Sequence, residues 1–214
     1  MPTAHLDTFA RDHLPPPEQL PEFLFELPEL QFPEQLNCAT ELLDKAIDHG
    51  WADRVCIRAP GLAWTYAQLQ AQASRIANVL VHNMHLVPGN RVLLRAPNNP
   101  MLAACWFGVV KAGGIAVATM PMLRAKELRA MVEIAQVTHA LCDVALIDEL
   151  QQTRATWPML QHCRSFNAPG DPHSLEAAMQ QQPATFSNVN TAADDTCLLA
   201  FTSGLLALRR RHLQ

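Results

Sequence analysis

The sequence is poor in charge and in the punctuation of several common binding loops. Asp, Glu, Lys and Arg make up 17% of 214 residues, against about 25% in an ordinary soluble domain. The 16 Lys and Arg are outnumbered by 20 Asp and Glu, for a formal charge of −4. No basic excess is available to neutralise a phosphate backbone or hold an anionic lipid surface, so nucleic acid and membrane are excluded as partners. With eight glycines, no pair forms GxGxxG, which removes the dinucleotide fingerprint. Gly108 and Gly113 have the spacing of a Walker loop, but Gly114 stands where that loop needs its Lys. There is no GxSxG for a serine hydrolase and no HExxH for zinc. His82 and His85 read as surface residues near a helix end rather than ligands. None of the six cysteines belongs to a CxxC pair, a usage that suits reduced, mostly buried thiols of a cytoplasmic protein. The opening MPTAHLDTFARDH lacks the apolar run of a secretory leader.

What is present is an apolar fraction of 49%, enough for one buried core over a chain of this length. The run from Met101 to Leu123 holds a single charge, Lys111. A membrane span there would place that charge near its middle at a cost of about 2.5–3.5 kcal/mol. Gly113, Gly114 and Pro121 also interrupt it, so the pattern predicts a buried helix followed by a buried strand.

Seven of the 16 prolines fall in the first 33 residues, which predicts an extended arm over residues 1–36. From Asn37, a plausible N-cap, Leu42, Leu43, Ala46 and Ile47 recur at helical spacing before Gly50. VCIRA, a Pro60-Gly61 turn and AWTY predict a hairpin. Thr65 and Gln68 form a capping box for a helix carrying Leu69, Ile76, Ala77 and Leu80. Beyond Gly89 come RVLLRA, a helix over 101–112, IAVAT, a helix over 126–136, HALCD, RSFN and a short helix near 174–181. Strand and helix alternating at this spacing predict an α/β fold, a doubly wound parallel sheet with crossover helices. The strands near Arg91–Ala96, Ile115–Thr119 and His139–Cys142 are expected to lie parallel and adjacent. LLAFTSG, Leu198 to Gly204, reads as an apolar strand running into Thr202, Ser203 and Gly204, small residues that let backbone N–H groups and hydroxyls approach a phosphate.

Three segments in order, WTYAQL (Trp64–Leu69), KAGGIAVATMP (Lys111–Pro121) and LLAFTSG (Leu198–Gly204), resemble core motifs of the adenylate-forming enzymes, the superfamily of acyl-CoA synthetases, luciferases and peptide-synthetase adenylation domains. DTFARDHLPPPEQ, LNCATELLD and the stretch from Leu86 to Leu128 resemble aryl-CoA ligases, 2-aminobenzoate-CoA and benzoate-CoA ligases in particular. The resemblance runs from Asp7 to Gly204. It implies a partial N-terminal domain over 37–204 and a two-step reaction of an aromatic carboxylic acid with ATP and then coenzyme A, assisted by Mg²⁺. It further implies that Thr202, Ser203 and Gly204 begin the ATP phosphate loop, which in the family reads roughly TSGTTGxPK. No catalytic residue and no metal ligand is assigned. The segments that the family places further on, among them the small C-terminal domain with its catalytic Lys, have no counterpart here. The resemblance therefore implies a fragment that is inactive alone and binds none of these cofactors productively. A stand-alone α/β module that binds a small molecule or regulates a relative is the alternative.

After Gly204 the resemblance stops: LLALRRRHLQ, residues 205–214, contains no Thr pair and no Pro-Lys. Codons GGA CTA CTG GCN for Gly204 to Ala207, read from the third base of codon 204, give ACT ACT GGC, or Thr-Thr-Gly. CTC CGA AGG CGA for Leu208 to Arg211 give CCG AAG GCG in the same frame, or Pro-Lys-Ala. The tail is thus expected to be a displaced reading of TTGxPK after loss of one base beside codon 204, and the three-Arg block its by-product. Sequencing the gene checks this directly. Codons for Leu205 to Arg211 that cannot spell TTGxPK in the displaced frame, with no ligase-like reading downstream, would make the tail native sequence.

Overall fold

The computed structural model describes residues 3–22 and 24–201. The Pro-rich opening forms only a single turn of helix, α1 (Phe9–Asp12), and two 3₁₀ turns at 17–19 and 28–30. Its start is fixed: the N–H groups of Leu6 and Asp7 donate to Pro88 O at 3.1 and 3.0 Å, and Asp7 pairs with Arg91. Further along, Leu24, Phe25, Leu27 and Phe32 are exposed.

Asn37 caps the next helix as the sequence suggests, its side-chain oxygen accepting from Ala39 N at 2.9 Å. That helix begins as a π turn over Thr40–Asp44 before α2 (Lys45–Asp48). The change of winding buries Leu43 and Ala46 and leaves Leu42, assigned to the same face by a 3.6-residue period, 60% exposed. Gly50 ends the run at φ +77°, a conformation open to glycine at little cost. A hairpin of β1 (Val55–Ala59) and β2 (Leu62–Thr65) comes next. Thr65 and Gln68 then make the full capping box of α3 (Tyr66–Asn78), with bonds of 3.3 and 2.9 Å.

The remainder builds the main sheet: β3 (Arg91–Arg95), α4 (Pro100–Lys111), β4 (Ile115–Thr119), α5 (Ala125–Ile134), β5 (His139–Asp143), α6 (Ile147–Thr156), β6 (His162–Phe166) and α7 (Leu175–Met179). All pairings in the four-stranded sheet are parallel, in the order β4-β3-β5-β6. Adjacency holds for β3 with each neighbour but not between β4 and β5, because the crossover through α5 carries the chain over β3 to its other side. Side chains alternate across the sheet with period two. Val92, Leu94, Ala116, Leu141 and Phe166 face α3, α4 and α7, whereas Leu93, Val117, Ala140 and Cys142 face α5 and α6. Helices on both faces explain why β3 and β5 read as unbroken apolar runs. Among the described residues no helix is long and apolar enough to cross a membrane, and Lys111 lies buried at the end of α4 with its ammonium 2.8 Å from both oxygens of Asp44.

Where α3 and α4 cross, Gly108 permits the approach: a Cβ there would lie 2.6 Å from Ile76 Cγ2 and 3.1 Å from Ala73 O. Alanine would gain about 1 kcal/mol in helix propensity, but such crowding against a packed helix typically costs about 1–3 kcal/mol.

At the opposite end of the sheet His139 is 2% exposed. Its Nε2 meets Met84 O at 2.9 Å, its Nδ1 meets Thr138 Oγ1 at 2.8 Å, and its ring stacks on that of His162 with centroids 4.7 Å apart. Burial lowers its pKa to about 4, below the ordinary value of about 6.5 that the unfolded chain retains. The neutral ring is the folded form, so the contribution is complete above pH 6.5 and declines as pH falls toward about 4. The shift corresponds to a loss on the order of 3 kcal/mol. Urea midpoints measured between pH 7.5 and 4.5 should show this loss, and H139Q should remove most of it. An unchanged slope in that variant would assign the pH dependence elsewhere.

Candidate functional site at the carboxyl edge of the sheet

In an open parallel sheet, ligands bind beyond the carboxyl ends of the strands where the connections leave in opposite directions. Here that point lies between β3, whose helix leads to β4, and β5, whose helix leads to β6. Four residues converge on it, from the ends of β3, β5 and β6 and from the start of α4.

Arg95 ends β3 with 1% of its surface exposed. Among the described residues no carboxylate forms an ion pair with it. Nη1 donates to Met120 O at 3.2 Å, Nη2 to Pro121 O at 3.2 Å and Leu123 O at 2.8 Å, and Nε to Leu146 O at 3.4 Å. One guanidinium therefore fixes the loops that follow both β4 and β5. Burial lowers its pKa from the usual value. Glu149 completes the first loop, accepting from Ala125 N at 2.7 Å and from Arg124 Nη1 at 3.0 Å. The same backbone bond, ahead of the Arg124 contact, lowers the Glu149 pKa.

Asp143 ends β5 and is 5% exposed. Its Oδ2 accepts from Asn99 Nδ2 at 3.0 Å and Asn167 Nδ2 at 2.7 Å, and its Oδ1 accepts from Ala145 N at 3.0 Å. Asn99 in turn caps α4, with Oδ1 accepting from Leu102 N at 2.9 Å and Pro100 in the first turn. One carboxylate thus joins the ends of β3, β5 and β6. Beyond β6 a groove of about 600 Å³ is lined by Asn167, Gly170, Asp171, Ser174, Glu176 and Gln180. Glu176 spends one oxygen on Asn167 N at 2.6 Å.

The assigned phosphate-loop residues, Thr202, Ser203 and Gly204, lie outside the described residues, as does the tail over 205–214. Their approach is described. Ala116 N donates to Cys197 O and Leu199 N to Ala116 O, both at 2.9 Å, so 197–199 runs parallel to β4 as a short outer strand. Among the described residues of LLAFTSG, Leu198 and Leu199 take part in this pairing, and Leu198 is 46% exposed, where the sequence predicted an apolar strand. Its direction carries Phe201 toward the edge that holds Arg95 and Asp143.

The cluster at that edge escaped the sequence reading, although one signal was available: Asn-Asn-Pro directly after an apolar strand marks a capped helix start beside the strand's end. Among the described residues no group of three or more His, Cys, Asp and Glu side chains could hold a metal. The Asp143 carboxylate is the one anion among these four residues and already accepts from three donors, so these residues alone do not fit Mg²⁺ or a triphosphate.

A family model described as AMP-binding enzyme matches residues 44–204. The chain belongs to that family. It is 32% identical over 164 residues to the salicyl-AMP ligase / salicyl-S-ArCP synthetase of Mycobacterium tuberculosis, covering 72% of this chain and 29% of the relative. It is 30% identical over 160 residues to a crotonobetaine/carnitine–CoA ligase of Shigella flexneri, covering 70% and 31%. In fold it resembles the anthranilate CoA ligase AuaEII in complex with anthranoyl-AMP, with a TM-score of 0.75 and 22% identity over 81% of this chain and 32% of that one. The chain spans about a third of the length of the curated relatives it matches.

The Asp143 cluster can be tested without a ligand. In D143N the new amide would direct its NH₂ either at the two Asn donors or at Ala145 N–H, leaving donors opposed in either orientation. A loss of about 2 kcal/mol in urea unfolding is expected. An unchanged midpoint would show that the carboxylate is not what holds the three strand ends together.

Proposed function

We propose that this chain supplies the N-terminal part of an ATP-dependent acid–CoA ligase acting on an aromatic carboxylic acid, 2-aminobenzoate or benzoate by resemblance. In the first step a carboxylate oxygen attacks the α-phosphorus of ATP and pyrophosphate leaves. In the second, the thiol of coenzyme A attacks the acyl carbon and AMP leaves with the bonding pair. Adenylation replaces a poor leaving group by a good one, and Mg²⁺ is needed to offset charge on the phosphates.

The observation that carries this reading is the course of 197–201, which runs parallel to β4 toward the carboxyl edge of the sheet and precedes Thr202, Ser203 and Gly204 in sequence. The named relatives support an acid as substrate. Salicylate and anthranilate in two of their names favour an aromatic one, while crotonobetaine in the third marks the alternative.

The reaction also requires what the relatives carry in their remaining length. Without the phosphate-loop Lys and the second domain, the charge developing at phosphorus lacks donors, and loss of even one such donor typically costs about 2.7–4 kcal/mol, or 10²–10³ in rate. The 214-residue chain is therefore expected to show no acid-dependent exchange of labelled pyrophosphate into ATP. A protein translated through the displaced frame beyond codon 204 should show exchange with 2-aminobenzoate, benzoate or salicylate above that with crotonobetaine. Exchange by the short chain alone would overturn its inactivity. Exchange by the longer protein with crotonobetaine alone would overturn the aromatic assignment.

A further inference from the structure

Cys38 and Cys197 stand 159 positions apart in sequence, yet their sulfurs lie 3.9 Å apart. Both backbones are held there by other groups. Cys38 follows Asn37, whose side chain accepts from Ala39 N and donates to Val110 O and Val189 O at 2.9 and 3.0 Å. Cys197 gives its carbonyl to Ala116 N at the edge of β4. Neither residue lies in the apolar core, and both are partly accessible. Together with His5, Leu36, Gly114 and Thr196 they line a cavity of about 70 Å³. A water molecule occupies about 30 Å³ of liquid, so the cavity admits a molecule the size of hydrogen peroxide but not a peptide disulfide.

The two thiols are also inequivalent. The S–H···S contact between the two sulfurs lets one thiol stabilise a thiolate on the other, and it lowers the Cys38 pKa to about 6 while raising that of Cys197. The other four cysteines go the opposite way to Cys38: burial raises Cys56 and Cys105 and pushes Cys163 and Cys142 up to about 11 and 12. Thiolate is the nucleophile in thiol oxidation, so reactivity is concentrated at one site.

We propose that Cys38 and Cys197 form a peroxide-oxidised dithiol site, in which a reversible disulfide ties the segment before α2 to the short strand on the edge of β4. The Cys38 thiolate attacks one oxygen of hydrogen peroxide and the O–O bond breaks. Hydroxide leaves, takes up a proton as water, and Cys38 becomes a sulfenic acid. The Cys197 sulfur then attacks the Cys38 sulfur. The S–O bond breaks, and the departing hydroxide takes the Cys197 proton as a second water. Two thiols are oxidised by two electrons and one peroxide is reduced. The sulfurs must close from 3.9 Å to the usual bond length of about 2.05 Å. The linked strand segment is the one that precedes Thr202, so oxidation would anchor that approach covalently.

The test uses the full 214-residue chain, purified reduced and treated with hydrogen peroxide. Two of the six free thiols should disappear, and non-reducing tryptic mass spectrometry should find the peptides of Cys38 and Cys197 joined within one chain. The melting temperature should rise and return on addition of dithiothreitol. In C197S, Cys38 should accumulate as a sulfenic acid that dimedone labels, and this readout does not depend on the stability of the disulfide form. Six free thiols after treatment, a cross-link involving any other cysteine, or C197S in which Cys38 is not the labelled residue would each overturn the proposal. None of these readouts requires ligase activity, so the proposal and the reading of function stand or fall separately.

Discussion

The carboxyl edge of this sheet depends on a buried cation held by backbone carbonyls. Withdrawing a guanidinium from water costs several kcal/mol, and Arg95 offsets that cost through four backbone carbonyls in place of a carboxylate. Those carbonyls belong to the loops after β4 and β5, the two strands that flank β3. The guanidinium is planar and directs its donors in a fixed fork, so both loops must take up positions that the central strand dictates. Arg91 repeats the device at the amino edge. It donates to Ala135 O at 2.8 Å and Gln136 O at 2.9 Å, and pairs with Asp7. The apolar residues of β3 hold the sheet in the core, and the charges at its ends decide where the neighbouring loops begin.

A second set of polar contacts holds the long stretch between α7 and Cys197, which has no regular element of its own. Asn78 donates to Pro183 O and Thr185 O, Asn37 to Val189 O, and Asn188 to Thr40 and Asp44. Lys111, 1% exposed, closes this network through Asp44 and Asn188. A segment without a ladder must satisfy its backbone groups by other means, and here carboxamides on α3 and ahead of the π turn supply them. The same network explains how a charge can sit at the end of an apolar helix. Its partners come from the π turn over Thr40–Asp44 and from Asn188, both far from Lys111 in sequence.

What could be read from the sequence was whatever depends on near neighbours. The Thr65–Gln68 capping box, the Asn37 cap, the stop at Gly50 and the runs of β3, β4 and β5 are local chemistry repeated at a regular period, and each stands where it was expected. What could not be read depends on partners distant in the chain. The π turn displaces Leu42 because Leu43 and Ala46 have a core to meet, a fact absent from a 3.6-residue count. The position of β5 beside β3 follows from which way a crossover turns, and the spacing of strands is the same for either neighbour. Arg95 and Asp143 end their strands as isolated charges, and nothing in their near neighbours in sequence points to the distant loops and carboxamides that bury them. The expectation that Thr202, Ser203 and Gly204 begin a phosphate loop came from resemblance to a family, and these residues lie outside the described ones.

Charged groups near the reversal point are neutralised by different routes, and the difference bears on what the edge can accept. Asp143 is surrounded by two carboxamides and a backbone N–H, and Asn99, one of those donors, is the cap of α4. Its charge is therefore delocalised over three donors beside the positive ends of the α4 and 144–146 turns. Four of the five Arg95 N–H donors are spent on carbonyls and the Asp143 carboxylate repels an anion, so their work is to set the backbone of the surrounding loops. An anion arriving at this edge would have to be met by donors added from elsewhere, and the one described segment directed there without a charged side chain of its own is 197–201. Two backbone bonds to Ala116 hold it, with Leu199 and Phe201 packed against the face that α5 and α6 cover. The frame supplies direction and shape: Arg95 and Asp143 set the loops at the carboxyl edge, and 197–201 runs toward it.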